Sequence, residues 1–189
     1  MTDDPLALHL RTGLPDALRV LLEQYPRDIW TSHLHFDGLT RFWLERHLSF
    51  RHLMAELQTR TRAFIDEPGD PRLQARQTAR LAGALIEHLH GHHQIEDLHY
   101  FPVLADAERR LERGFVMLDA DHHALEAELN GLAEATNIYL RALTQGDGVH
   151  DAAGAFEARM RAFERLLDRH LADEEDLVVP VILHHAPRL

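Results

Sequence analysis

Two stretches of the chain share one skeleton: a histidine, three residues, a glutamate, five residues, a proline. His92, Glu96 and Pro102 form the first, and His170, Glu174 and Pro180 repeat it at the same offsets. Residues four apart on an α-helix share a face. Each stretch therefore presents an imidazole beside a carboxylate, near a helix end that the proline is expected to mark. Such a pair offers two ligands to one metal ion, or lets the carboxylate bridge two. Imidazole and carboxylate without sulfur suit iron, manganese or zinc, and two redox metals joined by carboxylates favour dioxygen or peroxide chemistry.

The elements that must position these groups can be read from apolar spacing. Asp37 is a good N-cap for a helix over about 38–65, with a seam of Leu39, Trp43, His47, Phe50, Met54 and Leu57. Pro68-Gly69-Asp70-Pro71 is the clearest turn. A second helix over about 72–100 carries Leu81, Leu85, His88, His92 and Glu96, and a break is expected at Pro102 and again near Gly114. A third over about 115–144 carries Phe115, Leu118, His122, Leu125, Leu129 and Leu132, with Glu126 beside the seam. A fourth over about 151–177 carries Phe156, Met160, Phe163, Leu167, His170, Glu174 and Leu177, followed by an apolar tail that packs as far as Leu183. Ahead of these, residues 1–13 read as a loose lead-in, 16–25 as a short helix, and 27–36 as a connection holding Trp30 and a solvated His33/His35 pair. The expected fold is all-α: an up-down-up-down antiparallel four-helix bundle with a short extra N-terminal helix. Its helices would each be about 36–45 Å long at the standard rise per residue. The expected division is an extension over 1–36 and the bundle over 37–185.

Every long helix thus puts a histidine in its seam (His47, His92, His122, His170), and two add a carboxylate. A buried carboxylate without a partner costs several kcal/mol and would rather neutralise than ionise. Six ionisable groups facing one core would be strongly destabilising, and bound cations remove the problem. In antiparallel helices all six fall in one layer. The spacing from His47 to His92 is 45 residues and from His122 to His170 is 48, so the chain reads as two similar hairpins. That near-repeat suggests a pseudo-twofold site with two metal ions and two bridging carboxylates.

Composition narrows the partners. The chain has 189 residues and a net charge of −11 with histidine neutral, which argues against nucleic-acid or anionic-membrane partners. All 20 basic residues are arginine. There is no cysteine, which excludes disulfides, thiolate metal sites and iron–sulfur clusters. No apolar run is long enough to span a membrane, and the acidic start MTDDPLALHL lacks a signal-peptide pattern. A cytoplasmic location is the default expectation.

The stretches HLHGHHQIEDLHYFPVL, DADHHALEAEL and RHLADEEDLVVPVIL resemble the hemerythrin-like (HHE cation-binding) family, in its bacterial branch, over about residues 40–183. The resemblance implies a four-helix bundle holding a non-haem di-iron centre, with two oxo- or hydroxo-bridged iron ions; manganese or zinc would also suit the donors. It implies that His47, His92, His122 and His170 are ligands and that Glu96 is a bridge. The chain departs from the oxygen-carrying members at two places. Glu126 stands where they have a second third-helix histidine, so the fifth nitrogen comes from His93 or is replaced by a Glu126 oxygen. On the fourth helix Glu174 stands at +4 and Glu175 at +5, where they have an aspartate at +5; the seam favours Glu174. His88 would support His92, and His99 and Tyr100 would hydrogen-bond near the site. His52, His90 and His123 are expected at the surface, and His9, His150, His184 and His185 in solvated loops or tails.

Three functions are consistent with these residues. One is a di-iron protein that binds or senses dioxygen, nitric oxide or iron. Another is a di-iron oxidase or peroxidase acting on peroxide or ferrous iron. The ferritin-like version of that reading needs Glu-xx-His on two helices, but Glu87-xx-His90 and Glu96-xx-His99 lie on one. The third is a metal-free structural bundle. Residues 1–36 would either cap the bundle or form a homodimer contact.

Overall fold

The computed structural model describes residues 6–189. The first five residues of the expected lead-in lie outside the described residues. Four long helices dominate: α1 (Gly38–Asp66), α2 (Pro71–Ile95), α4 (Glu112–Gln145) and α5 (Val149–His185). Between α2 and α4 come a π-turn (Glu96–Tyr100), the short α3 (Phe101–Ala107) and a 3-10 turn (Arg109–Leu111). No strand occurs among the described residues. The fold is an all-α helical bundle.

The helix ends have local causes. Asp37 Oδ1 accepts from the Thr40 backbone N–H and from the Thr40 hydroxyl, both at 2.8 Å, and so caps α1. Pro71 opens α2 where its missing N–H costs nothing, while Asp70 Oδ1 accepts from the Arg72 N–H at 2.8 Å. Gly146 ends α4 at φ 77°, with its N–H on the Ala142 carbonyl at 2.8 Å.

Two compact units share these helices. One comprises 48–91 and 125–165. Its core is apolar, with Phe50, Met54, Leu57, Leu85, Leu89, Leu129, Leu132, Tyr139, Phe156, Met160 and Phe163 all buried. Within it α1 and α5 run in opposite directions, since Gln58 meets Glu164 while Arg62 meets Glu157. The other unit comprises the chain up to His47, 92–124 and 166–189. Its core joins Leu14, Leu18, Leu21 and Trp30 to Trp43, Phe101, Leu104, Phe115, Leu118 and the run Leu177–Leu183.

Several expectations change. The predicted helix over 16–25 is a 3-10 turn at Asp16–Leu18 followed by turns; a ten-residue helix is marginal alone, and Leu14, Leu18 and Leu21 are held by burial instead. The lead-in is not loose from residue 6 onward, because Leu8 and Arg11 are buried. Pro102 does not break the chain's helical course. The Phe101 N–H bonds to the Glu96 carbonyl, an i→i−5 bond that widens the turn just ahead of the proline. The widening relieves the clash that a proline ring makes with the preceding turn. Gly114 lies inside α4, where a Cβ would come within 2.7 Å of Leu177, so it permits close packing rather than a break. The fourth long helix continues through Pro180 to His185. His88 is exposed and Leu89 takes its expected core position.

Candidate metal centre

Seven ligand-type side chains gather in the second of these units, in two groups. His93, His122 and His170 form one, and His47, His92, Glu96 and Glu174 the other; within each group one ligand atom per residue lies within 4.8 Å of all the rest. All are buried except His92, whose side chain is 9% exposed. Each element contributes for a local reason. His47 lies on the buried stripe of α1, one turn after Trp43 and ahead of Phe50. His92 and His93 are adjacent near the end of α2, and Glu96 opens the π-turn one helical turn later. His122 sits on α4, and His170 and Glu174 are one turn apart on α5.

The imidazoles meet in pairs. Nε2 of His47 lies 3.0 Å from Nε2 of His92, and Nε2 of His122 lies 3.2 Å from Nε2 of His170. His93 stacks on His122 with ring centroids 4.0 Å apart. The carboxylates reach both groups. Glu96 stands 2.9 Å from His92 Nε2 through Oε1 and 3.8 Å from His122 Nε2 through Oε2. Glu174 Oε2 stands 3.5 Å from His47 Nε2 and 3.4 Å from His170 Nε2.

Outer carboxylates hold the far side of three rings. Nδ1 of His47 faces Glu175 Oε1 at 3.1 Å, Nδ1 of His122 faces Asp97 Oδ1 at 2.7 Å, and Nδ1 of His170 faces Asp121 Oδ2 at 3.4 Å. An ionised carboxylate can only accept, so these contacts put the proton on Nδ1 and turn the Nε2 lone pair inward. Trp43 adds a donor, its indole Nε1–H bonding to Glu96 Oε1.

The charge states follow from burial. Burial holds His47 neutral, with its pKa lowered to about 4, and lowers His93 well below the usual imidazole value, helped by His122. Burial alone would raise Glu96, but His92, with Glu174 and His47, outweighs it and the carboxyl sits at about 2. Glu174 is raised well above the carboxylate range by burial and by the charge on Glu96. The two carboxyls are therefore pushed in opposite directions, Glu96 toward the ionised form and Glu174 toward the protonated one.

These residues fit bound cations. Both ring nitrogens of His93, Glu96 Oε2 and both Glu174 oxygens are buried with no hydrogen-bond partner, an arrangement native cores avoid unless something else satisfies the atoms. His122 and His170 turn two lone pairs toward each other. Two cis nitrogens on one six-coordinate ion lie about 3 Å apart at ordinary metal–nitrogen distances, which matches both imidazole pairs.

The other candidates fall elsewhere. Glu126 belongs to neither group. Its half-exposed carboxylate pairs with His90 Nδ1 at 3.0 Å. His99 is exposed, as are His9, His52, His123 and His150. His35 is not solvated as expected, since its Nδ1 donates to the Leu183 carbonyl at 2.7 Å. His184 and His185 are exposed but engaged, by Tyr25 and Glu108 respectively. With Glu108 they make a third group of ligand type; Arg110 occupies both Glu108 oxygens, which leaves little for a cation. Sequence reasoning missed the supporting roles of Asp97, Asp121 and Trp43. The one available signal was an acidic residue directly beside Glu96 and beside His122.

A helical bundle with two adjacent groups of buried histidine and glutamate defines a metal-binding α protein. The chain belongs to the hemerythrin HHE cation-binding domain family, whose family model matches residues 38–182. Searches of curated proteins and of solved structures found no match.

Proposed function

We propose that the protein holds two iron ions, one on His93, His122 and His170 and the other on His47 and His92, with Glu96 and Glu174 bridging them. The observation that carries this is the double reach of each carboxylate: Glu96 faces His92 and His122, and Glu174 faces His47 and His170. On this reading the second-place third-helix ligand of the oxygen-carrying members is supplied by His93 from α2, and Glu126 is not a ligand.

Two redox-active ions sharing a pair of carboxylates supply reversible binding of dioxygen or nitric oxide, or reaction with peroxide. The chain's own residues shape which occurs. Glu175, Asp97 and Asp121 fix the tautomer and tilt of three imidazoles, which sharpens metal affinity. Burial of six of the seven side chains keeps bulk water away. Five nitrogens against two carboxylates is a nitrogen-rich set, which favours the ferrous state more than a carboxylate-rich one does. The function supported best is therefore binding or sensing of a small diatomic ligand, dioxygen or nitric oxide, at the metal pair. An oxidase or peroxidase acting on peroxide or ferrous iron is the competing reading.

Anaerobically reduced, iron-loaded protein exposed to dioxygen separates the two. A stable adduct that reverses on removing the gas supports binding. Steady multiple turnover of peroxide or ferrous iron, with no lasting adduct, replaces the binding reading with the catalytic one.

A further inference from the structure

The segment ahead of α1 lies outside the family match, yet it sends two arginines to the carboxylates behind the centre. Arg11 has a side chain only 2% exposed. Its Nη1 donates to Asp121 Oδ1 at 2.9 Å, its Nη2 to Asp121 Oδ2, and its Nε to Asp173 Oδ2 at 3.1 Å. Asp121 is the residue behind His170. Arg27 donates from Nη1 to Glu175 Oε2 and from Nε to Asp176 Oδ1, each at 2.7 Å, and from Nη2 to the Ala172 carbonyl at 3.2 Å. Glu175 is the residue behind His47. The same relay thus occurs twice: arginine, carboxylate, Nδ1 of a ligand-type histidine.

A carboxylate that accepts from Nδ1–H makes the opposite nitrogen a stronger donor to a metal. A guanidinium on the same carboxylate draws charge away and limits that effect. Each arginine therefore weakens the electron push that its histidine exerts. Less push stabilises the lower oxidation state.

We propose that the N-terminal segment is a two-arginine clamp that tunes the metal centre, Arg11 acting through Asp121 on His170 and Arg27 through Glu175 on His47, and so favours ferrous over ferric iron. This rests on the reading that His47 and His170 are ligands. Arg11 and Arg27 are positioning residues and touch no ligand atom themselves. A plain packing role is the competing explanation, most of all for Arg11, whose loss would strand buried carboxylates.

Arg27 gives the cleaner test because its side chain is 47% exposed, so Arg27→Gln opens no cavity and keeps an amide donor for Glu175, whose side chain is 7% exposed. Iron-loaded full-length wild type, Arg27→Gln, Arg27→Lys, Glu175→Gln and the Arg27→Gln/Glu175→Gln double variant are compared by iron content, melting of the metal-free protein and redox titration. The expected result for Arg27→Gln is unchanged iron content and melting, with the ferric-to-ferrous affinity ratio raised by about threefold or more, a fraction of the usual effect of removing a ligand's immediate partner. Arg27→Lys, which keeps the charge, should lie between wild type and Arg27→Gln. In the Glu175→Gln background the Arg27→Gln shift should vanish. The proposal is overturned if folded, iron-loaded Arg27→Gln titrates like wild type, if the shift persists without the Glu175 carboxylate, or if Arg27→Gln fails to fold. A wild type that takes up no iron overturns the ligand reading itself, and does so before any variant is compared.

Discussion

His122 and His170 face each other Nε2 to Nε2 at 3.2 Å, while Asp97 and Asp121 stand behind their Nδ1 atoms. With both protons held on the outer nitrogens, the inner lone pairs would repel. A cation between them turns that repulsion into two bonds, and His93, stacked on His122, brings a third nitrogen with no other partner. His47 and His92 also meet Nε2 to Nε2, at 3.0 Å, with Glu175 behind His47 and Glu96 Oε1 2.9 Å from His92 Nε2.

His93 and Glu126 should separate cleanly. His93→Ala should lower iron content by about one ion per chain, because a three-histidine group loses a member and metal binding is bought with preformed ligands. Glu126→Ala should leave iron content unchanged, since Glu126 is half-exposed and pairs with His90. Metal analysis of the purified variants checks both.

Asp97→Ala should retain the fold, because Asp97 is partly exposed, but should weaken metal binding by about 10–100-fold, the usual cost of removing a ligand's outer partner. Competition against a chelator of known affinity measures it. Unchanged affinity would remove Asp97 from the centre.

Much of this centre was legible in the sequence. Helical spacing placed His47, His92, His122, His170, Glu96 and Glu174 on buried seams, and the Asp37 cap set the start of α1. His93 was harder, because neighbours on a helix point about 100° apart and only one is expected to face a core. Both reach the centre here, just ahead of the π-turn at Glu96. Asp97, Asp121 and Glu175 were obscured for another reason: an acidic residue beside a seam looks like a solvated face until a neighbouring helix shows what covers it. The N-terminal segment has no periodicity to read because it is built from short turns, and its anchors Leu14, Leu18, Leu21 and Arg11 depend on partners far along the chain.

Glu174→Gln should show a trade between stability and binding. The folded-state pKa of Glu174 is raised above its ordinary 4.5 by burial and by Glu96. A raised carboxyl favours folding fully only below its unfolded value, and that contribution declines as pH rises toward the folded value. The metal-free variant should therefore melt higher than metal-free wild type, with a gap that opens from about pH 4.5 upward. Its iron affinity should fall, because a bridging oxygen is lost. Thermal melts across pH in the presence of a chelator check the first part, and iron titration the second. A gap that is constant with pH would contradict the upward displacement of the Glu174 carboxyl.

The most direct measurement is anaerobic titration of metal-free protein with ferrous iron, for wild type and for the His47→Ala/His170→Ala double variant. The expected stoichiometry is about two ions per wild-type chain, one for each group of preformed ligands, with tight binding lost in the double variant. Binding of a single ion by wild type, or undiminished iron uptake by the double variant, would contradict a two-ion centre built on these histidines.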